Sequence, residues 1–396
     1  MEELADRLRR ALVDDLVGRG VIRSEAWRRA FERVPRHRFV PAFYEWEEGA
    51  SRPSALLELA TDPVGLLPRI YADDPLPTEM EGSRITSSSS RPSMMAAFLE
   101  ALEVEDGNAA LEIGTGTGYN AALLCERLGS ERVTTIDVVP DLAERARARL
   151  AACGYEPVVA VADGADGYPP RAPYDRIVAT CSVERIPPAW REQLRPGGVV
   201  VAPLCGDRFA AGLVALRRQP DGSLVGRLRP ELAEFMPLRR PERNLAPARS
   251  SRDEIMAALE AAAADGRTAG VPGWLSLGPD TFNAGLLFRL HAPDVEVRWR
   301  GAGGGWGGYV DASRRTGIAL LGRQDGSWAR ADLGPDGSAR IAQGGRRRLW
   351  DLLEWCWGLY LSKGRPGPER YGWTVWPDGG QVVWLDHPES EHRWEL

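Results

Sequence analysis

Between residues 109 and 202 short apolar runs alternate with amphipathic ones, and Gly114, Gly116 and Gly118 punctuate the first exchange. Ala109–Ile113 reads as a buried strand, a Gly-rich turn follows, and Tyr119–Leu128 is predicted helical. Further strands are expected at Arg132–Ile136, Pro157–Val161, Asp175–Ala179 and Val199–Ala202, with helices at Pro140–Cys153 and near Pro188–Leu194. Repeated strand–helix–strand units of this length impose parallel pairing, because each crossover must return over a face of the sheet. The expected fold class is α/β: a Rossmann-like, mostly parallel sheet with helices on both faces, extended at its edge by Phe209–Leu216 and Leu224–Leu228.

Ahead of this region, Leu4, Leu8, Leu12 and Leu16 mark one face of a helix, and Ser24 is placed to cap a second. Pro35 and Pro41 break helical structure, residues 46–93 read mainly as loop, and Met94–Glu103 returns to helix. At 396 residues the chain is long for one core. Of its 14 tryptophans only Trp27, Trp46 and Trp190 precede residue 270. We therefore expect two units, 1–240 and 241–396, divided inside the Pro- and Arg-rich stretch from Pro230 to Ala248. The second reads as a smaller α+β domain: a helix from Ser251 to Ala264, antiparallel strands joined by Asp-Gly turns, and a helix at Arg346–Leu361.

Leu111-Glu112-Ile113-Gly114-Thr115-Gly116-Thr117-Gly118 closes a strand and opens a helix, the context in which a Gly-rich loop binds a nucleotide-like cofactor. Asp137 ends the next strand, 19 residues after Gly118, where a carboxylate can accept bonds from both ribose hydroxyls. Asp163-Gly164 follows the third strand and is placed to border a purine. The loop spacing is GxGxG, not the dinucleotide GxGxxG, which favours S-adenosylmethionine over a nicotinamide cofactor. Read singly, each aspartate is an ordinary solvated loop acid. Together, at the carboxyl ends of successive strands, they describe a site.

Several segments extend this pattern. They are Val34-Pro35-Arg36-His37-Arg38-Phe39-Val40-Pro41, Tyr71-Ala72-Asp73-Asp74-Pro75-Leu76, Pro173-Tyr174-Asp175-Arg176-Ile177-Val178 and Ile186-Pro187-Pro188. Gln193-Leu194-Arg195-Pro196-Gly197-Gly198 and Phe235-Met236-Pro237-Leu238 complete the set. In this order, and with the Gly-rich loop, the chain from about residue 20 to 238 resembles the protein-L-isoaspartate O-methyltransferase family. The resemblance implies a class I methyltransferase domain that moves a methyl group from S-adenosylmethionine to a carboxylate of a peptide or protein.

In that family an Ile-Ser-x-Pro segment supplies the active-site serine and covers the cofactor. Aligning on Pro92 puts Ser90 at the serine position, within Ile85-Thr86-Ser87-Ser88-Ser89-Ser90-Arg91-Pro92. The isoleucine is displaced, and Ser93 stands where the family has Tyr or His. The resemblance thus names Ser90, Ser89 and Ser88 as catalytic candidates. It names Thr86, Ser87, Met95, Glu112, Gly114, Gly116, Gly118, Asp137, Asp163 and Gly164 as cofactor-binding candidates. By composition alone, four serines describe a flexible linker. Their place before Pro92 and a helix favours the site. A peptide carboxylate is already an anion at neutral pH, so no catalytic His, Cys or Asp cluster is required.

Family repair enzymes end near Phe-x-Pro-Leu, so residues 250–396 read as an addition, expected to recognise substrate. Trp306 and Arg346-Arg347-Arg348 are candidates for gripping a peptide, against the blander readings of loop and solvated face; the apolar run Trp350–Tyr360 reads as core. The serine-rich segment with an added domain resembles homologues found with ribosomal peptide pathways (lanthipeptide, lasso peptide, graspetide). That resemblance implies a constrained, cyclised peptide substrate whose ester closes to an aspartimide and, in some pathways, opens to isoaspartate. The alternatives are a repair methyltransferase and a non-catalytic peptide-binding module on the same fold. A net charge of −6 argues against nucleic acid or an anionic membrane as partner. Met1-Glu2-Glu3 leads no apolar signal segment and no run approaches the roughly 20 residues of a membrane span, so a cytoplasmic location is expected. The five cysteines form no CxxC pair, and no structural metal is expected.

Overall fold

The computed structural model describes residues 1–46, 53–82, 84–204, 212–231, 235–239, 267–270, 279–301, 306–307, 315–334 and 338–396. It opens with α1 (Glu2–Gly18), whose buried face carries Leu12, Val13 and Leu16, and α2 (Glu25–Arg33). Ser24 caps α2 by accepting the Trp27 N–H at 3.3 Å. Pro35 and Pro41 leave room between them for one turn, α3 (Arg36–Phe39).

The stretch expected to be mainly loop is instead largely ordered into regular elements. β1 (Ala42–Trp46) pairs antiparallel with β2 (Pro53–Glu58), α4 (Pro63–Ile70) follows, and β3 (Leu76–Glu81) pairs antiparallel with β4 (Arg84–Ser89). Composition concealed these elements for identifiable reasons. Pro63 lies in the first turn of α4, where no N–H is needed, and Asp62 accepts the Gly65 N–H at 2.9 Å. The serine run is a strand because β3 completes its backbone ladder, which requires no apolar side chain. Then α5 (Pro92–Ala101) buries Met95, Ala96, Phe98 and Leu99.

The central sheet follows the alternation read from sequence. It comprises β5 (Ala110–Ile113), α6 (Tyr119–Leu128), β6 (Val133–Asp137), α7 (Pro140–Ala152), β7 (Val158–Val161), β8 (Tyr174–Ala179), α8 (Pro188–Gln193) and β9 (Leu194–Leu204). The strands run in the order β7-β6-β5-β8-β9, all parallel, and β10 (Gly212–Arg218) and β11 (Leu224–Leu228) add antiparallel to β9.

Beyond lie β12 (Arg267–Gly270), α9 (Pro279–His291), β13 (Val295–Gly301), β14 (Trp306–Gly307), β15 (Arg315–Gly322), β16 (Trp328–Leu333) and β17 (Ser338–Gly344). The six strands form one antiparallel sheet, in the order β12-β17-β16-β15-β13-β14. After α10 (Leu349–Ser362) the chain returns to the first sheet. β18 (Tyr371–Val375) pairs with β11, from Leu224↔Val375 to Arg227↔Gly372, and β19 (Gln381–Leu385) and β20 (Arg393–Glu395) complete ten strands. The sheet therefore does not stop at residue 240. An uncovered β11 would expose a row of backbone donors and acceptors, and the C-terminal hairpin occupies them.

Most of the late tryptophans with described side chains are structural. Trp350 and Trp373 are fully buried, and Trp299 and Trp394 nearly so, in a core cluster continuous with one face of the central sheet. The other face packs on α1, α2, α5 and α6. Arg347 bonds internally to Asp294 and Asp325, at 2.6 and 2.9 Å, so the middle of the arginine run is committed to the fold. The helix expected from Ser251 and the side chain of Trp306 lie outside the described residues. Among those residues no helix is long and apolar enough to cross a membrane.

Candidate active site

At the carboxyl ends of β5, β6 and β8 the chain turns back through loops that cannot fill the space above the strands. Gly114 follows β5 with φ +98°. A Cβ there would stand 2.5 Å from Thr180 Oγ1, which donates to the Gly114 carbonyl at 2.6 Å. Only glycine allows this approach. Gly118, also left-handed at φ +89°, precedes α6 and lies against Ala146 of α7.

The loop is held from beneath. Glu112 is fully buried and accepts bonds from Asn120 Nδ2 at 2.7 Å and Thr135 Oγ1 at 2.6 Å. Thr135 in turn meets Thr115 Oγ1 at 2.7 Å. Burial pushes the Glu112 carboxyl up to about 7, against the lowering effect of its two hydrogen bonds. Asp137 accepts the Gly116 N–H at 2.9 Å on one oxygen and the Val139 N–H at 3.0 Å on the other. Each oxygen retains acceptor capacity.

Over these strand ends lies the serine hairpin. Ser87 and Ser89 turn inward: Ser87 accepts from Thr78 Oγ1 at 3.1 Å, and Ser89 from Arg36 Nε at 3.3 Å. Ser88 and Ser90 are half-buried, and their hydroxyls make no hydrogen bond among the described residues. Arg36 fixes the hairpin's end. Its wholly buried guanidinium donates to the carbonyls of Ile70, Ala72, Asp74, Ser89 and Ser90, at 2.8 to 3.4 Å.

A third wall comes from the segment 235–239. Ser182 N–H donates to Met236 O at 2.9 Å, Leu238 N–H to Ser182 O at 2.8 Å, and Ser182 Oγ to Phe235 O at 3.0 Å. These bonds carry Leu238 onto Gly164, where a Cβ would lie 2.7 Å from Leu238 Cδ1.

The three walls enclose a cavity of about 760 Å³, within the range of small-molecule sites. Thr86, Ser87, Ser88, Ser89, Ser90, Met95, Glu112, Gly114, Gly116, Asp137 and Gly164 all line it, so eleven of the thirteen residues singled out from sequence converge. Gly118 and Asp163 are not among its lining residues. Gly118 serves the packing of α6 on α7, and Asp163 accepts the Ala165 N–H at 2.8 Å, capping the turn that presents Gly164. Sequence reasoning missed Thr180, Cys181 and the segment Phe235–Arg239 as site residues. The Phe-x-Pro-Leu motif was visible, but only tertiary structure brings it 53 residues back to Ser182. Burial pushes the Cys181 thiol up to about 12, which leaves it protonated and unsuited to nucleophilic attack.

The cavity suits a nucleoside carrying a charged tail. A carboxylate with spare acceptor sites ends β6, and glycine keeps the floor clear. A parallel sheet with a Gly-rich first crossover and a site at its strand tips is the class I methyltransferase architecture. The model of the family "Protein-L-isoaspartate(D-aspartate) O-methyltransferase (PCMT)" matches residues 63–242. A protein-L-isoaspartate O-methyltransferase of Ignicoccus hospitalis is 39% identical over 232 residues, covering 58% of this chain and 96% of the relative. One from Methanothermobacter thermautotrophicus is 40% identical over 212 residues, covering 53% and 85%. A solved structure titled protein-L-isoaspartate O-methyltransferase shares the fold at a TM-score of 0.53 and 22% identity, over 96% of this chain and all of that one. The chain belongs to the protein-L-isoaspartate O-methyltransferase family, and its methyl donor is S-adenosylmethionine. The alignment with that structure extends into the C-terminal unit, whereas the two relatives, covered over 96% and 85% of their own length, align with only 58% and 53% of this chain.

Proposed function

We propose that this enzyme esterifies the side-chain carboxylate of an aspartyl or isoaspartyl residue in a peptide, and that the peptide is a constrained product of ribosomal peptide modification. The observation that carries the catalytic part is the pair of half-buried hydroxyls, Ser88 and Ser90, without a hydrogen bond among the described residues and bordering the cavity of the Gly-rich loop. S-adenosylmethionine supplies an electrophilic methyl group on a sulfonium. Ser90 donates a hydrogen bond to one oxygen of the acceptor carboxylate and aims the other at that methyl. Thr86, Ser87 and Met95 cover the cofactor, Asp137 accepts from its ribose, and Gly164, held by the Asp163 turn, borders its purine. With that cofactor bound, transfer would form the O–CH3 bond at the expense of its C–S bond, turning an anion and a cation into two neutral groups. Apolar walls from Ile85, Met94, Met95 and Phe235 favour that loss of charge by excluding water. No proton is transferred, so no general base is needed.

The departure from the family's serine segment supports a tailoring role, with the ester closing to an aspartimide. The C-terminal unit is assigned to substrate recognition. Being matched by a solved family member, it does not itself separate tailoring from repair. Repair of isoaspartyl damage is the second reading, favoured by the names of the curated relatives. The enzyme and cofactor are incubated with a cyclised aspartyl peptide, its linear form and a linear isoaspartyl peptide, and products are read by mass spectrometry. Gain of a methyl group followed by net loss of water, on the cyclised peptide alone, is expected. Equal or better turnover of the linear isoaspartyl peptide overturns the tailoring role in favour of repair. Turnover of none, with cofactor product still bound in calorimetry, leaves a non-catalytic binding module. Ser90→Ala is expected to slow methyl transfer about 10- to 100-fold with cofactor affinity preserved, the size of one hydrogen bond to a charged group; unchanged turnover assigns the role to another serine.

A further inference from the structure

The cavity's ionisable side chains differ in how they are held. Its two lining carboxylates are already engaged: Glu112 by Asn120 and Thr135, and Asp137 by the Gly116 and Val139 amides. Its two lining arginines are not. Arg91 follows Ser90 at the start of α5 and is exposed, whereas Arg239 is half-buried at the end of the 235–239 wall. Neither makes an ion pair or a side-chain hydrogen bond among the described residues.

Arg239 is delivered by a rigid mount. The Ser182 bonds fix residues 235–238, and Leu238 is wedged beside Gly164 and Ile113. The guanidinium lies near enough to Cys181, beyond the end of β8, to lower the thiol's pKa in opposition to the larger effect of burial. A half-buried cation on a cavity wall, with no acid partner among the described residues, can receive an anion, and a guanidinium matches the planar carboxylate fork in particular.

We propose that Arg239 is a specificity-determining residue that binds a carboxylate inside the cavity. The inference rests on the methyl-transfer reading, in which two carboxylates enter this space: the acceptor on the peptide and the amino-acid tail of the cofactor. Pairing also explains how an anion is drawn from water into a site bordered by Ile85, Met94, Met95 and Phe235, since an unpaired carboxylate resists desolvation.

Two arms separate the sources. Arg239→Gln and Arg239→Lys are assayed for kcat and KM with the best peptide substrate, and by calorimetry for S-adenosylhomocysteine and for 5′-methylthioadenosine, which lacks the tail. A rise of about 10- to 100-fold in peptide KM for the glutamine variant, with S-adenosylhomocysteine affinity unchanged and partial rescue by lysine, assigns Arg239 to the acceptor. A similar loss of S-adenosylhomocysteine affinity, with methylthioadenosine binding unchanged, assigns it to the tail. Either result upholds a carboxylate receptor. Peptide KM and S-adenosylhomocysteine affinity both within twofold of the parent enzyme overturn it. So does a parallel loss for both nucleosides, the mark of a merely structural role. A parent enzyme that methylates no peptide defeats the reading beneath it, while the nucleoside arm still reports on Arg239.

Discussion

Replacing Arg36 by Met is expected to be the most damaging single change near the site, although Arg36 lies behind the serines and outside the cavity lining. Its guanidinium joins three pieces of chain that share no secondary structure: α3, the turn at 70–74, and the end of β4. Four of its bonds to carbonyls are 3.1 Å or shorter. Burial lowers its pKa to about 10, so it remains charged at neutral pH. Hydrogen bonds to a charged group contribute about 1.5–3 kcal/mol each, but this sum is offset by several kcal/mol for keeping the ion out of water. Methionine removes the donors and the ion together and leaves carbonyls to find water. A buried carbonyl left without a donor costs about 1–3 kcal/mol, less where water reaches it, so a net loss of about 3–5 kcal/mol follows. At roughly 2–4 °C per kcal/mol for a domain of this size, the melting temperature falls by about 10 °C. Lysine, with one ammonium in place of a planar fork, recovers only part. Thermal melts by circular dichroism of both variants check the figure, alongside turnover, which falls as Ser90 loses its anchor. A drop of less than about 2 °C for Arg36→Met would refute the view that this cation ties the hairpin down.

Glu112→Gln is expected to flatten the pH dependence of stability. The folded carboxyl titrates near 7, above its ordinary 4.5, so its protonated form stabilises the fold at low pH and that contribution, roughly 3 kcal/mol at most, is lost as pH rises from about 4.5 to 7. Calorimetric melts from pH 5 to 8 should show a smaller decline for the glutamine variant; parallel curves would contradict the assignment. Asp137→Ala removes both the proposed ribose contact and the tether on Gly116, so S-adenosylhomocysteine affinity should fall at least tenfold, and normal affinity would discount both roles. Gly164→Ala drives a methyl against Ile113 Cγ2 and Leu238 Cδ1, at 2.6 and 2.7 Å. It should displace the 235–239 segment and raise cofactor KM several-fold, a result incompatible with unchanged kinetics.

How much was legible varies with the kind of signal. The parallel sheet was readable because buried strands and crossover helices write their periods locally, and Leu224–Leu228 was placed to the residue. The serine segment was recognised through its motif but its strand was not, because Ser carries no apolar alternation and the pairing with β3 is a tertiary event. The Trp-rich change in composition did mark a second sheet, yet it gave no warning that β18–β20 cross back to β11. Pairing of that kind depends on an open edge elsewhere in the chain, which no local window contains.

The sequence by itself determined the glycine loop, the acid at the end of β6, the alternation that makes the sheet parallel, and the family. Each depends on backbone sterics or a side-chain period felt over a few residues. Only the tertiary structure decided which of the cavity's serines bond to Thr78 and Arg36, and that Phe235–Arg239 closes the third wall. It also left Arg239 without an acid partner among the described residues. Those outcomes depend on distances between segments far apart in the chain, and burial, charge pairing and access to a ligand are properties of that assembled space.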